Sequence, residues 1–223
     1  MDRQYDEIVS LGSQCDVGLS LRSLGIKEKT YPFDWVCSNT KIVYDVLLNG
    51  PKQYATLGQK NSDDFYTKDL DERYHLNFPS GHINAYGQHF THYTHMSQQV
   101  LIETLSRYLD RFFSLLNSDK KVLFVCSHEE YLYHKISRDK SDLFYDYLCR
   151  INDHISEKFP RLNFTILNID IRNSYVNYKN IVNTSVEYAH PFSDGETRSP
   201  VYFEPYRDSV TIAIKNFLYE HVE

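Results

Sequence analysis

Features that mark several common protein classes are scarce in this chain. Only four cysteines occur among 223 residues, and their wide spacing excludes a dense disulfide framework and a Cys-x-x-C pair. No apolar run approaches the roughly 20 residues that span a bilayer, and the charged segment from Met1 to Glu7 does not resemble a signal peptide. We therefore expect reduced thiols in a soluble, cytoplasmic protein without a membrane partner.

Basic residues are also fewer than acidic residues. The chain has 24 Lys and Arg against 30 Asp and Glu, a net charge of -6, which disfavours nonspecific binding to nucleic acid. Gly-x-Gly-x-x-Gly and Walker-type lysine motifs are absent. We expect no cofactor and a small-molecule, peptide or glycan substrate, and the sequence leaves the oligomeric state open.

Predicted strands alternate with predicted helices along the chain. Apolar runs predict strands at 7–11, 121–126, 162–169 and, more weakly, 184–188. Helical spacing predicts helices at 16–25, 39–49, 97–117 and 140–158 and around Val210 to Leu218. The alternation predicts a single α/β domain over 1–223, with a mainly parallel central sheet and helices on both faces in three layers. A polar segment at about 58–95, rich in histidine and aromatic residues, is predicted to be an irregular insert.

Polar residues follow three of the predicted strands. Because ligands bind outside the carboxyl ends of parallel strands, segments 12–16, 127–130 and 170–174 are expected to share one rim. Cys15 stands there at the expected start of a helix, where unpaired N–H groups and the helix dipole favour a thiolate. Cys126 lies in an apolar strand and Cys149 in a helix, where burial would raise the pKa of a thiol; Cys37 stays undecided.

Several motifs resemble those of a bacterial and viral family of unknown function described as papain-like cysteine peptidases. The segment from Ser10 to Cys15 reads Ser-Leu-Gly-Ser-Gln-Cys, the helix end reads Leu21-Arg22-x-x-Gly25, and Tyr-Pro-Phe-Asp-Trp spans Tyr31 to Trp35. Further similar elements are Phe90-Thr91-His92, Arg107 and Arg111 on a helix, and the strand Val122-Leu123-Phe124-Val125. The similarity covers roughly residues 7–126.

The resemblance implies a thiol hydrolase that cleaves an amide, ester or thioester. It implies Cys15 as nucleophile and His92 as base, with Asp34, Asn84 or Asp194 orienting the histidine. We select Asp34 as the third catalytic residue. The residues expected to bind substrate are Ser13, Gln14, Trp35, Arg107, Arg111 and His128. Papain-like folds place the nucleophile helix against an antiparallel sheet, so a papain-like α+β fold is the alternative architecture.

Other interpretations of the same residues stay open. In an SGNH-like acyl esterase, which has a parallel sheet, Ser13 would be the nucleophile and His190 the base. A nucleotide-sugar-dependent transferase of glycan assembly would hold a phosphate at the 12–16 turn, with Arg107, Arg111 or Arg172 as counter-charges. A noncatalytic binding module is a third possibility. Histidines at 82, 89, 92 and 95 lack the neighbours of a zinc site, so no metal is expected.

Overall fold

The computed structural model describes residues 4–12, 15–36, 38–55, 84, 90–93, 95–128, 138–170, 175–186 and 203–220. Four strands form one sheet: β1 (Glu7–Ser10), β2 (Lys121–His128), β3 (Asn163–Asp170) and β4 (Ile181–Ser185). They lie in the order β1-β2-β3-β4, and every neighbouring pair is parallel. The predicted α/β fold with a parallel central sheet is therefore confirmed.

Helices cover both faces of this sheet. They are α1 (Asp16–Ser23), α2 (Thr40–Asn49), α3 (Pro51–Tyr54), α4 (Gln98–Leu116), α5 (Arg138–Lys158) and α6 (Phe203–Glu220), with a 3₁₀ turn at Thr91–Tyr93 between α3 and α4. The central strands are apolar on both sides, as a doubly covered sheet requires. Val122 and Phe124 pack towards α2, α4 and α5, whereas Leu123 and Val125 pack towards α1 and α6.

Local sequence signals set the helix ends near the sheet. Asn39 caps α2 by accepting the Ile42 N–H at 2.8 Å, and Gly50 ends that helix with a φ of 75°. Gly25 follows α1 with a φ of 67°, a conformation that glycine adopts at low cost. These residues therefore mark both ends of α2 and the end of α1.

Two strands, β2 and β4, differ from the sequence prediction by more than one residue at a boundary. Strand β4 begins three residues before the predicted start at 184, because Ile181 to Ser185 pair with Ile166 to Asp170 of β3. Strand β2 extends beyond 126 to His128, because it pairs with β3 as far as Asp170. The antiparallel sheet of the papain-like alternative is not what the described strands form. Most of the insert predicted at 58–95 lies outside the described residues.

None of the described helices is long and apolar enough to cross a membrane.

Candidate active site

The turn before Cys15 lies at the carboxyl end of the first two strands. Leu11 donates its N–H to the Val125 carbonyl at 2.8 Å, so β1 stays paired with β2 up to this point. Gly12 then turns the chain with a φ of 95° and donates its N–H to Ser10 Oγ at 3.1 Å. Only glycine adopts that backbone conformation without strain. The turn therefore directs the chain from the sheet edge towards α1.

Cys15 immediately precedes α1. Its carbonyl accepts the first hydrogen bond of the helix, from the Leu19 N–H at 2.8 Å, and its side chain caps no backbone N–H. The side chain is half-buried and is not part of a disulfide. The N–H groups of the first turn of a helix have no acceptor within that helix, and the dipole is positive there. Both features stabilise negative charge at the start of α1.

The Asp34 backbone, within the segment from Tyr31 to Trp35, packs against α1 at Gly18. A Cβ atom added at Gly18 would lie 2.7 Å from the Asp34 carbonyl oxygen, so the two backbones approach as closely as glycine allows. Residues three apart in a helix lie on one face, and Gly18 is three residues after Cys15. The helix face that carries Cys15 is therefore the face on which Asp34 lies.

Asp34 is fully buried and has an ion-pair partner that the motifs did not reveal. Its Oδ2 lies 2.5 Å from Lys27 Nζ and accepts the Tyr31 N–H at 2.6 Å. Burial raises the pKa of the Asp34 carboxyl above its ordinary value, although the Lys27 ammonium and the Tyr31 N–H oppose that rise. Its Oδ1 accepts no hydrogen bond from the residues that the structure describes. Asp34 thus closes the turn from Tyr31 and anchors it to Lys27.

Trp35 contacts His92, the predicted general base. The ring of Trp35 meets the imidazole of His92 edge to face, with centroids 5.9 Å apart, and Lys27 Nζ lies 5.9 Å from the same indole. His92 itself is exposed on the 3₁₀ turn. The structure therefore connects α1 to His92 through Asp34 and Trp35, which are adjacent in the chain.

The two predicted arginines on α4 contact the protein itself. Arg111 Nη1 donates to the Thr30 carbonyl at 2.6 Å, immediately before the Tyr31 segment. Arg107 Nη2 lies 3.5 Å from Thr104 Oγ1 of its own helix. Arg111 therefore supports the segment that carries Asp34 and Trp35, through a contact that no sequence motif indicates.

The remaining predicted site residues lie at the same edge of the sheet or outside the described residues. Ser127 donates its N–H towards the Gly12 carbonyl at 3.5 Å, and His128 is the last residue of β2, paired in register with Asp170. The carboxyl ends of β1, β2 and β3 thus form one rim, as expected. Ser13, Gln14, Cys37, Arg172, His190 and Asp194 lie outside the described residues.

The other two described thiols are in environments that suppress ionisation. Burial raises the pKa of the Cys126 thiol to about 12, and the Asp170 carboxylate adds to the shift. Burial also raises the pKa of Cys149, with further contributions from Asp146 and Asp153. A protonated thiol is a poor nucleophile, so Cys126 and Cys149 are poorly suited to attack a substrate. Among the described residues, no group of three or more His, Cys, Asp and Glu side chains could hold a metal ion.

Comparison with known proteins assigns the chain to a family. The chain is 27% identical over 155 residues to the "Uncharacterized protein R408" of Acanthamoeba polyphaga mimivirus, which corresponds to 63% of this chain and 69% of the viral protein. No solved structure matches the chain significantly. A family model described as "Putative papain-like cysteine peptidase (DUF1796)" matches residues 6–174. On that match, the chain belongs to this family of cysteine peptidase-like proteins.

Proposed function

We propose that this protein is a thiol hydrolase in which Cys15 is the nucleophile and His92 the general base. The observation that carries the proposal is the placement of Cys15 at the start of α1, on the helix face against which the Asp34 backbone packs. Trp35 in turn contacts the His92 ring. The substrate class is an amide, ester or thioester.

The reaction would proceed through an acyl-enzyme. The Cys15 proton moves to an imidazole nitrogen of His92 while the sulfur bonds to the substrate carbonyl carbon, whose π electrons move to oxygen. The C=O bond then re-forms as the bond to the leaving group breaks, and the leaving group takes the proton from His92. Water, deprotonated by His92, attacks the thioester and releases the acid and the Cys15 thiol.

The other predicted site residues are assigned supporting roles. Asp34, held by Lys27, acts as a positioning residue for Trp35 and thereby for His92. Arg111 holds the start of that segment through the Thr30 carbonyl. Ser13, Gln14, Trp35, Arg107 and His128 are proposed to contact substrate around the rim.

Trapping of the acyl-enzyme tests this function. We expect p-nitrophenyl acetate to give a burst of p-nitrophenol and an acetyl group that mass spectrometry locates on Cys15. Cys15→Ser should abolish both signals, and His92→Ala should lower the burst rate by roughly 10²-fold or more. His95→Ala is the matched control, because His95 is also exposed and lies three residues further along. Acetylation of Cys149 at the rate of Cys15 would contradict the proposal.

The parallel sheet favours one second candidate, an SGNH-like acyl esterase with Ser13 as nucleophile and His190 as base. In such enzymes the nucleophile follows the first strand of a parallel sheet, as Ser13 does here. A fluorophosphonate probe separates the two functions. Labelling that Ser13→Ala abolishes and Cys15→Ser leaves unchanged would support the esterase and overturn the thiol hydrolase.

A further inference from the structure

Two buried polar side chains lie beside the turn that leads to Cys15. Ser38 and Asn39 immediately precede α2 and are 0% and 5% exposed. A Cβ atom added at Gly12 would lie 3.0 Å from Ser38 Cβ and 3.5 Å from Ser38 Oγ. The side chain of Ser38 therefore lies against Gly12, at the edge of the sheet where β1 ends.

Both side chains have a hydrogen-bond donor without a partner among the described residues. Ser38 Oγ and Asn39 Nδ2 make no hydrogen bond to the residues that the structure describes. The Asn39 amide is oriented, because its Oδ1 accepts the Ile42 N–H at 2.8 Å. A buried donor left without an acceptor costs roughly 1–3 kcal/mol. Two such donors next to each other are unusual in a folded protein, where buried polar groups are nearly always paired.

Neighbouring hydroxyls do have partners. Ser10 Oγ accepts the Gly12 N–H at 3.1 Å, and Thr40 Oγ1 donates to the Phe144 carbonyl at 2.6 Å. Of these four neighbouring residues, Ser38 and Asn39 are the two whose donors have no partner among the described residues. They also stand at the N-terminal end of α2, where the helix dipole favours negative charge.

We infer that Ser38 and Asn39 donate hydrogen bonds to the oxyanion that forms when Cys15 attacks a carbonyl. This inference rests on the proposed function and adds the groups that stabilise its tetrahedral intermediate. As the Cys15 sulfur bonds to the carbonyl carbon, the π electron pair moves to oxygen, and that oxygen accepts from Ser38 Oγ–H and Asn39 Nδ2–H. The pair returns to carbon when the leaving group departs. Desolvated donors are effective in this role, because they need no reorganisation as the charge develops.

Two variants remove one donor each and preserve the fold. Ser38→Ala deletes only the hydroxyl. Asn39→Asp removes the Nδ2 donors and retains an oxygen that accepts the Ile42 N–H, since Asp and Asn cap helices equally well. Thr40→Val is the matched control, because it removes a buried hydroxyl that already has a partner.

The assay compares acyl transfer with alkylation at the same sulfur. For p-nitrophenyl acetate we expect Ser38→Ala and Asn39→Asp to lower kcat by roughly 10- to 10³-fold, the range for loss of an oxyanion donor. Iodoacetamide reacts by displacement at carbon and forms no oxyanion, so its rate with Cys15 should change by less than about twofold in Ser38→Ala, which adds no charge near the thiol. Thr40→Val should leave both rates near the wild-type values.

The outcomes separate the inference from the proposed function. If the wild type hydrolyses the ester and the two variants match it, the inference is overturned and the thiol hydrolase stands. Equal losses in ester hydrolysis and alkylation would also overturn it, because a general disturbance of the site would explain them. A wild type that neither hydrolyses the ester nor becomes acetylated would overturn the proposed function itself.

Discussion

Lys27→Met removes the cation that pairs with the buried Asp34 carboxylate, and we expect it to lower the free energy of unfolding. Lys27→Met leaves the carboxylate of Asp34 fully buried, with the Tyr31 N–H as its remaining described donor. Breaking a buried ion pair by removing one partner costs about 3–5 kcal/mol, because the other charge stays desolvated. Lys29→Met is the matched control: Lys29 also ends 2.5 Å from a carboxylate, but its side chain is 43% exposed. Lys120 Nζ lies 3.1 Å from the same oxygen of the buried Glu7, so Glu7 keeps a cation in Lys29→Met, and we expect a loss of about 0–1 kcal/mol, as for pairs with an exposed cation.

The cost of Lys27→Met should depend on pH in a defined direction. Burial raises the pKa of Asp34 above its ordinary value of 3.8, and Lys27 opposes that rise. A raised pKa means that the folded state holds the proton more tightly than the unfolded state, so this contribution is complete below 3.8 and is lost as the pH rises through the folded pKa. Without Lys27 that pKa rises further. The variant should therefore lose more stability at neutral pH than at mildly acidic pH.

Urea denaturation of a double-mutant cycle measures this cost. Lys27→Met/Asp34→Asn removes both charges and keeps an oxygen for the Tyr31 N–H, so we expect its free energy of unfolding to lie within about 1–2 kcal/mol of wild type. A Lys27→Met variant as stable as Lys29→Met, or a double variant less stable than both single variants, would refute the buried-pair reasoning.

Three further substitutions test the contact between α1 and Asp34 and the ion pairs of Glu7. Gly18→Ala places a Cβ atom 2.7 Å from the Asp34 carbonyl oxygen, so we expect a loss of about 1–3 kcal/mol and slower alkylation of Cys15. Gly25→Ala, whose Cβ meets nothing within 4 Å, should leave that alkylation rate unchanged; equal effects on the rate would contradict the close contact of α1 with Asp34. Burial raises the pKa of Glu7, but hydrogen bonds and charge from Lys29 and Lys120 outweigh it and hold the pKa below its ordinary value of 4.5. A lowered pKa stabilises the fold above 4.5, and that contribution disappears as the pH falls through the folded value. Glu7→Gln should therefore destabilise the protein at pH 7 and match wild type in strong acid; a pH-independent difference would exclude this origin.

The local sequence predicts the parts of this fold that depend on local chemistry. The helix predicted at 39–49 corresponds to α2, which Asn39 caps and Gly50 ends, because capping involves residues within one turn. The position of Cys15 between β1 and α1 was likewise predictable from an apolar run followed by a glycine turn. The shared rim followed from the parallel topology, since all strands end at the same edge.

The partners of buried charges were not predictable from the motifs. Lys27 lies seven residues from Asp34, and nothing in that spacing distinguishes it from Lys29, which pairs with Glu7 instead. The hydrogen bond from Arg111 to the Thr30 carbonyl depends on how α4 packs across the chain. The start of β4 was also misplaced, because an edge strand is defined by its pairing with β3 as well as by its own apolar residues. These features arise from tertiary packing, which single-sequence patterns do not encode.

The most direct test of Cys15 as nucleophile and His92 as its base is the rate of iodoacetamide alkylation at each thiol, followed by mass spectrometry across pH. We predict that Cys15 reacts at least about tenfold faster than Cys149 at pH 7, because Cys149 is equally half-buried but has a raised pKa. His92→Ala should slow Cys15 and leave Cys149 unchanged, whereas His95→Ala should affect neither. A Cys15 that reacts no faster than the buried Cys126 would contradict the catalytic thiol.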